Sequence, residues 1–226
     1  MVVPIGVILQ QIKIIMRKDI GILFDLDGVI IDSEGIYTDI WNDIESIYPT
    51  GVENFAHVIK GSNLSKILNT YYPDKTAQEK VVELLMEYQD KMRYDIFPGV
   101  IEFLEDLKRH DIPSCIVTSS DNKKMKHLVD QQPGLLPYFN DVVTGDMVKN
   151  SKPDPECFLI GAEKLGVDIK SCFVFEDSIS GIIAGKESGA KVIALATTLS
   201  RDEIRIKTDE TIDNFIGYSV EEMLKV

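Results

Sequence analysis

Ile22-Leu23-Phe24-Asp25-Leu26-Asp27-Gly28-Val29-Ile30-Ile31-Asp32-Ser33-Glu34 is an apolar run of strand length that ends in two carboxylates separated by one residue, and then a glycine. Ile22, Leu23 and Phe24 read as a buried parallel strand, with Asp25 and Asp27 beyond its carboxyl end. Alternate strand residues point the same way, but Asp27-Gly28 favours a turn at this place. Two carboxylates at a strand mouth can hold a divalent cation, with one of them serving as nucleophile or base. The same residues could equally end a strand in a solvated Asp-Gly turn. The rest of the chain separates the two readings.

Downstream of this run the pattern is helical. Ile36, Ile40, Trp41, Ile44 and Ile47 recur at helical spacing over 34–48, and Pro49-Thr50-Gly51 breaks them. Two short helices are expected over 52–59 and 64–68, on either side of Lys60-Gly61-Ser62-Asn63. Thr76 with Glu79 three residues on has the form of a capping box, opening a longer helix through Val81, Leu84, Leu85 and Tyr88. Residues 33–95 therefore read as an all-helical module inserted after the first strand.

From Phe97-Pro98-Gly99 the rhythm changes to alternating helices and strands. Helices are expected at 100–109, 121–129, 153–165, 179–188 and 220–224. Strands are expected at 114–117, 142–143, 172–175 and 191–195, with a last edge strand at 212–216. This alternation predicts an α/β fold, a parallel sheet with helices on both faces, built from residues 16–32 and 96–226. Residues 1–15 are apolar but lack a basic leader and a small-residue cleavage site, and Gln10, Gln11 and Lys13 interrupt them. They are expected to be an extension outside the fold.

Composition narrows the function. The chain has 226 residues, 44% hydrophobic and 27% charged, which suits a packed core. A net charge of −13 argues against nucleic acid or an anionic membrane as partner, while leaving room for a small anionic substrate neutralised locally. Cys115, Cys157 and Cys172 have no metal-like spacing and fit no disulfide framework, so a reducing cytoplasm is the expected compartment.

Sites in open parallel sheets form beyond the carboxyl ends of strands. Three apolar strands end in polar groups here: Asp25/Asp27, Thr118/Ser119 and Glu176/Asp177. Lys152 stands between Ser151 and Pro153 at an expected helix start, where backbone N–H groups also favour anions. Together they supply carboxylates for attack and metal binding, donors for phosphate, and a cation. That inventory suits phosphoryl transfer, where catalysis is mainly positioning and charge neutralisation.

In these motifs, Asp25-Leu26-Asp27-Gly28, Thr118-Ser119-Ser120, Lys152-Pro153 and Glu176-Asp177-Ser178, the chain resembles the haloacid dehalogenase superfamily, in its beta-phosphoglucomutase-like phosphatase branch. The resemblance spans about residues 20–200. It implies a Rossmann-like core, a helical cap at 33–95, and Mg2+ as cofactor. It further implies Asp25 as the nucleophile forming an aspartyl-phosphate, and Asp27 as general acid/base, its backbone carbonyl also a metal ligand. Thr118 and the Ser119 amide would bind the phosphoryl group, and Lys152 would bridge phosphate and Asp25. Asp177 with Glu176, the latter directly or through water, would complete the metal site alongside Asp25 and Asp27. The second aspartate, Asp27, argues against dehalogenation.

Other residues carry weaker implications. Thr118 could also cap the following helix. Asp32 and Glu34 could touch substrate or only solvent. His57, His110 and His127 have no motif partner and read as surface or packing residues. Tyr37 stands where a mutase of this branch would be expected to carry histidine. No arginine lies near 60–63, although Lys60 or Lys66 could substitute. The expectation is thus a Mg2+-dependent, monomeric phosphatase acting on a small phosphorylated metabolite, a sugar phosphate first. The alternatives are phosphoryl transfer between sugar hydroxyls, as in beta-phosphoglucomutase, and a non-catalytic phospho-ligand sensor.

Overall fold

The computed structural model describes residues 19–59, 64–89, 91, 93–204 and 206–226. The expected extension at 1–15, the Met16-Arg17-Lys18 start and the Lys60-Gly61-Ser62-Asn63 link lie outside the described residues, as do the side chain of Glu34 and any role for Lys60. Two compact units form: one from the N-terminal part through Ile31 together with Ile96–Val226, the other from Asp32–Asp95.

The larger unit carries six parallel strands: β1 (Gly21–Phe24), β2 (Ser114–Val117), β3 (Asp141–Val143), β4 (Cys172–Glu176), β5 (Lys191–Leu195) and β6 (Glu210–Ile212). Their order across the sheet is β3-β2-β1-β4-β5-β6. The chain first winds outward from β1 through β2 and β3, then crosses to β4 on the other side. The direction of winding therefore reverses between β1 and β4, where such sheets open a crevice beyond their carboxyl ends.

Alternation along β1 assigns its two faces. Leu23 joins Cys115, Val117, Val174 and Val192 in an apolar cluster with Phe158 of one covering helix and Ile182 of another. Phe24 points to the opposite face. There it stacks on its register partner Phe175 at 5.0 Å between ring centroids and meets Phe103 edge-on at 6.2 Å. Phe103 in turn stacks on Phe215 at 5.2 Å. Both faces of β1 are thus fully buried, which is why it reads as a continuous apolar run.

The helical unit contains α1 (Glu34–Ile47), α2 (Phe55–Val58), α3 (Leu64–Tyr71) and α4 (Lys75–Gln89). Its apolar centre includes Trp41, Phe55 and Tyr72, with Phe55 edge-on to both other rings at 5.8 and 6.2 Å. The remaining helices, α5 (Val100–Arg109), α6 (Asn122–Gln131), α7 (Glu156–Leu165), α8 (Ile179–Ser188) and α9 (Val220–Met223), belong to the sheet unit. Among the described residues, no helix is long and apolar enough to cross a membrane.

Several boundaries depart from the sequence expectations. The cap of α4 is Asp74, whose carboxylate accepts from the Thr76 and Ala77 amides at 3.4 and 3.2 Å. A carboxylate before the first turn also complements the helix dipole, and it displaces the expected Thr76 capping box. The helix expected at 52–59 begins only at Phe55, after Asn54 in a left-handed conformation. The helix expected at 64–68 runs on to Tyr71, and the one expected from Pro153 begins at Glu156. The strand expected at 212–216 lies instead at Glu210–Ile212. Phe215 leaves the sheet edge to join the aromatic cluster, which outweighs its β-propensity.

Candidate active site

The ladder between β1 and β4 continues one residue past Phe24, because the Asp25 amide donates to the Phe175 carbonyl at 3.0 Å. This fixes the Asp25 carboxylate at the crevice. The chain then turns through Gly28, whose φ of +75° suits glycine, and the Gly28 amide closes on the Ile31 carbonyl at 2.9 Å. A Cβ at Gly28 would lie 2.0 Å from Asp177 Oδ2, so the Asp177 carboxylate packs directly on the Asp27-Gly28 turn. Thr198 donates to the same oxygen, and Thr197 donates to the Gly28 carbonyl.

Lys152 reaches this point from the turn before α7, not from a helix start. Glu156 accepts from the Lys149 and Asn150 amides at 3.1 and 2.9 Å and so folds the turn back on the helix. The Lys152 ammonium donates to Asp25 Oδ1 at 2.5 Å, to Glu176 Oε1 at 2.8 Å and to the Val117 carbonyl at 3.2 Å. It also lies over the Phe158 ring at 4.9 Å from the centroid. All three ionic side chains are nearly inaccessible, at 6% exposure for Lys152, 11% for Asp25 and 1% for Glu176.

One cation thus faces two buried carboxylates, and the charges do not balance. Burial pushes the Asp25 carboxyl up to about 7; Lys152 pulls against it, while the charges of Glu176 and Asp27 add to the rise. For Lys152, burial alone would favour the neutral amine. The carboxylates of Asp25 and Glu176 outweigh burial and hold the ammonium well above the ordinary lysine range. Burial keeps the neighbouring Cys157 thiol protonated, pushed up to about 11, which removes it as a nucleophile.

Glu176 has both oxygens committed. Oε1 takes Lys152, and Oε2 accepts from the Asp177 amide at 2.9 Å, the Ser178 amide at 2.8 Å and the Ser178 hydroxyl at 3.0 Å. A Cβ on Gly181 would fall 1.6 Å from Oε1, so only glycine leaves room for this carboxylate at the start of α8. Its Oε1 orients the Lys152 ammonium.

Thr118 follows β2 and is buried, its amide donating to the Val143 carbonyl at 2.9 Å. Its hydroxyl accepts from the Ser120 amide at 3.0 Å, which curls the chain into a tight turn with Ser119 exposed at the mouth. Ser120 and Lys124 both reach the Asp27 carboxylate. The Ser120 hydroxyl donates to Oδ2 at 3.0 Å and the Lys124 ammonium to Oδ1 at 2.5 Å. Neither residue was assigned a role from the sequence, and Thr198 was also missed. Lys124 did leave a trace, as a lysine in the first turn of a helix, where the dipole disfavours it.

The expected site residues Asp25, Asp27, Thr118, Ser119, Lys152, Glu176 and Asp177 all lie at the carboxyl ends of β1, β2 and β4 or on the turn before α7. Asp32 is exposed and engages Asp95 through its amide, and Lys66 is exposed on α3. His57 is exposed, His110 just after α5 bonds the Asp106 carbonyl, and His127 pairs with Gln131 on α6.

Among the described residues, no three Asp, Glu, His or Cys side chains converge as a ready-made metal cage. Magnesium is commonly held by one or two carboxylates with waters and substrate oxygens completing the shell. Asp25 and Asp177 lie beyond the ends of β1 and β4, and with the Asp27 carbonyl they could supply hard oxygens of that kind. The surplus of buried carboxylate over ammonium gives a cation something to neutralise.

A family model described as haloacid dehalogenase-like hydrolase matches residues 22–195. The chain is 32% identical to the phosphorylated carbohydrates phosphatase of Thermotoga maritima, covering 76% of this chain and 83% of that one. It is 27% identical to the bifunctional riboflavin kinase/FMN phosphatase of Arabidopsis thaliana, over 88% of this chain but only 54% of that protein's length. Among solved structures, a HAD hydrolase of family IA, variant 3, from Entamoeba histolytica superposes with a TM-score of 0.78. It shares 28% identity and covers 91% of this chain and 98% of that one.

Proposed function

Because this chain belongs to the haloacid dehalogenase-like hydrolase family, we propose that it is a Mg2+-dependent phosphatase that hydrolyses a small phosphate monoester through an aspartyl-phosphate on Asp25. The observation that carries this reading is the buried Lys152 ammonium shared by Asp25 and Glu176 at the mouth of β1 and β4. A nucleophilic carboxylate needs its charge neutralised before it can approach a phosphate dianion.

In the first step an Asp25 oxygen attacks phosphorus, the bond to the ester oxygen breaks, and Asp27 gives that oxygen a proton. In the second step Asp27 takes a proton from water as the water attacks phosphorus. The Asp25–phosphate bond then breaks and inorganic phosphate leaves. Thr118 and the Ser119 amide hold the phosphoryl oxygens, and Lys152 bridges them to Asp25 while Glu176 fixes its ammonium. Asp25, Asp177 and the Asp27 carbonyl would hold Mg2+, which supplies positive charge against the phosphoryl oxygens. The similarity to a phosphorylated carbohydrates phosphatase supports a sugar phosphate as the ester, and the helical unit at 32–95 serves as the specificity cap.

The test is hydrolysis of p-nitrophenyl phosphate and a panel of sugar phosphates with Mg2+ and with EDTA. Wild-type protein should release phosphate only with Mg2+, and Asp25→Asn should lose at least 1,000-fold, on the order expected for removing a covalent nucleophile. Undiminished turnover by Asp25→Asn would remove the mechanism.

A further inference from the structure

We propose that Lys124 is a positioning residue for Asp27, acting with Ser120 as a two-point clamp that aims the acid/base carboxylate; this rests on the phosphatase reading above. The Lys124 ammonium and the Ser120 hydroxyl take different oxygens of Asp27, at 2.5 and 3.0 Å. Donors on both oxygens fix the rotation of the carboxyl plane as well as its direction, which a single contact would leave free.

Both donors come from the segment that carries Thr118. Ser120 donates its amide to Thr118 Oγ1, and Asp121 caps α6 by accepting from the Lys124 amide at 2.8 Å. The clamp therefore ties the carboxylate beyond β1 to the phosphate-holding turn beyond β2. Any movement of the phosphate turn carries the proton donor with it.

Two features of Lys124 are costly without such a use. Its side chain is only 8% exposed, and lysines are rarely buried unless paired. It also sits in the first turn of α6, where the helix dipole repels a cation. A surface-facing lysine or a buried aliphatic residue would serve α6 better as a structural element.

The proposal makes a prediction about leaving groups. An alkoxide needs a proton to depart, whereas p-nitrophenolate departs without one. With a misaimed Asp27, the first step slows for a sugar phosphate but not for p-nitrophenyl phosphate, while the second step slows for both.

The experiment is rapid-mixing kinetics of Lys124→Met, Lys124→Arg and Ser120→Ala with p-nitrophenyl phosphate and glucose 6-phosphate, in Mg2+. Expected for Lys124→Met is a stoichiometric burst of p-nitrophenolate followed by a steady rate at least tenfold below wild type. Glucose 6-phosphate turnover should fall at least tenfold in kcat with little change in KM. Lys124→Arg should recover part of the loss, and Ser120→Ala should show the same signature more weakly.

A rise in KM with kcat and burst unchanged would make Lys124 a ligand-binding residue and overturn the proposal. Wild-type rates in both Lys124→Met and Ser120→Ala would do the same. So would a uniform loss of burst and steady rate in folded Ser120→Ala, which points to a structural role. Failure of the phosphatase reading is separately visible, as absence of Asp25-dependent turnover in the wild-type protein.

Discussion

At Asp25 the sign of a pH effect follows from one ammonium serving two buried carboxylates. Its carboxyl, pushed up to about 7 in the folded state, has an unfolded value near 3.9. Between those values the folded chain keeps a proton that the unfolded chain has lost. Asp25 therefore subtracts stability progressively as pH rises from about 4 to 7, by an amount of the order of a few kcal/mol at most. In EDTA, Asp25→Asn should be more stable than wild type at pH 8, and the difference should close as pH falls toward 4. Mg2+ should raise the wild-type Tm at pH 8 but leave the variant nearly unmoved, since the proposed site would hold the cation on the ionised carboxylate. Thermal melts across this range check both, and a less stable Asp25→Asn at pH 8 would mean that pairing with Lys152 outweighs burial. The residues of this network were readable because strand-end carboxylates and a lysine before proline stand out in a sequence. The Lys124–Asp27 contact joins positions 97 residues apart and obeys no local spacing rule, so only the fold reveals it. The same holds for Thr198 on Asp177.

The elements that aim these residues are held by a cluster of rings under the crevice. Phe24 and Phe175 immediately precede Asp25 and Glu176, and Phe103 of α5 contacts both, at 6.2 and 5.4 Å, as well as Phe215 at 5.2 Å. Removing a fully buried aromatic ring leaves a cavity that a rigid sheet closes poorly. Phe103→Ala should cost about 3–5 kcal/mol. Urea unfolding should show this as a lower midpoint with an unchanged slope, and a changed slope would indicate that the unfolded or native ensemble had altered instead. The strands and most helices of this layer were legible, because buried parallel strands and amphipathic helices differ in period. The ends were less so. Asp74 and Thr76 both look like caps, and only the three-dimensional competition for the first-turn amides decides for the carboxylate. Phe215 carries strand propensity yet serves the aromatic cluster, a choice made by packing at a distance.

The chain leaves the sheet unit after Ile31 and returns to it at Ile96. Asp32 donates its amide to the Asp95 carbonyl at 2.8 Å, and Ile31 pairs with Ile96 in an isolated antiparallel bridge. The ends of the helical unit are therefore already closed by its own hydrogen bond, so the intervening chain can be replaced by a short loop at small entropic cost. The sheet unit holds every residue to which the chemistry has been assigned, together with both faces of its own core. A chain in which residues 33–94 are replaced by a few glycines and serines should fold cooperatively. It should keep Mg2+-dependent, Asp25-dependent hydrolysis of p-nitrophenyl phosphate, because every residue assigned to the chemistry lies in the sheet unit. Its preference among sugar phosphates should collapse to within a few-fold, because the helical unit would no longer discriminate between them. Circular dichroism melts and a substrate panel on the shortened chain decide the matter. Retained selectivity would move substrate recognition into the sheet unit, and loss of all turnover in a folded product would give the helical unit a part in the chemistry itself.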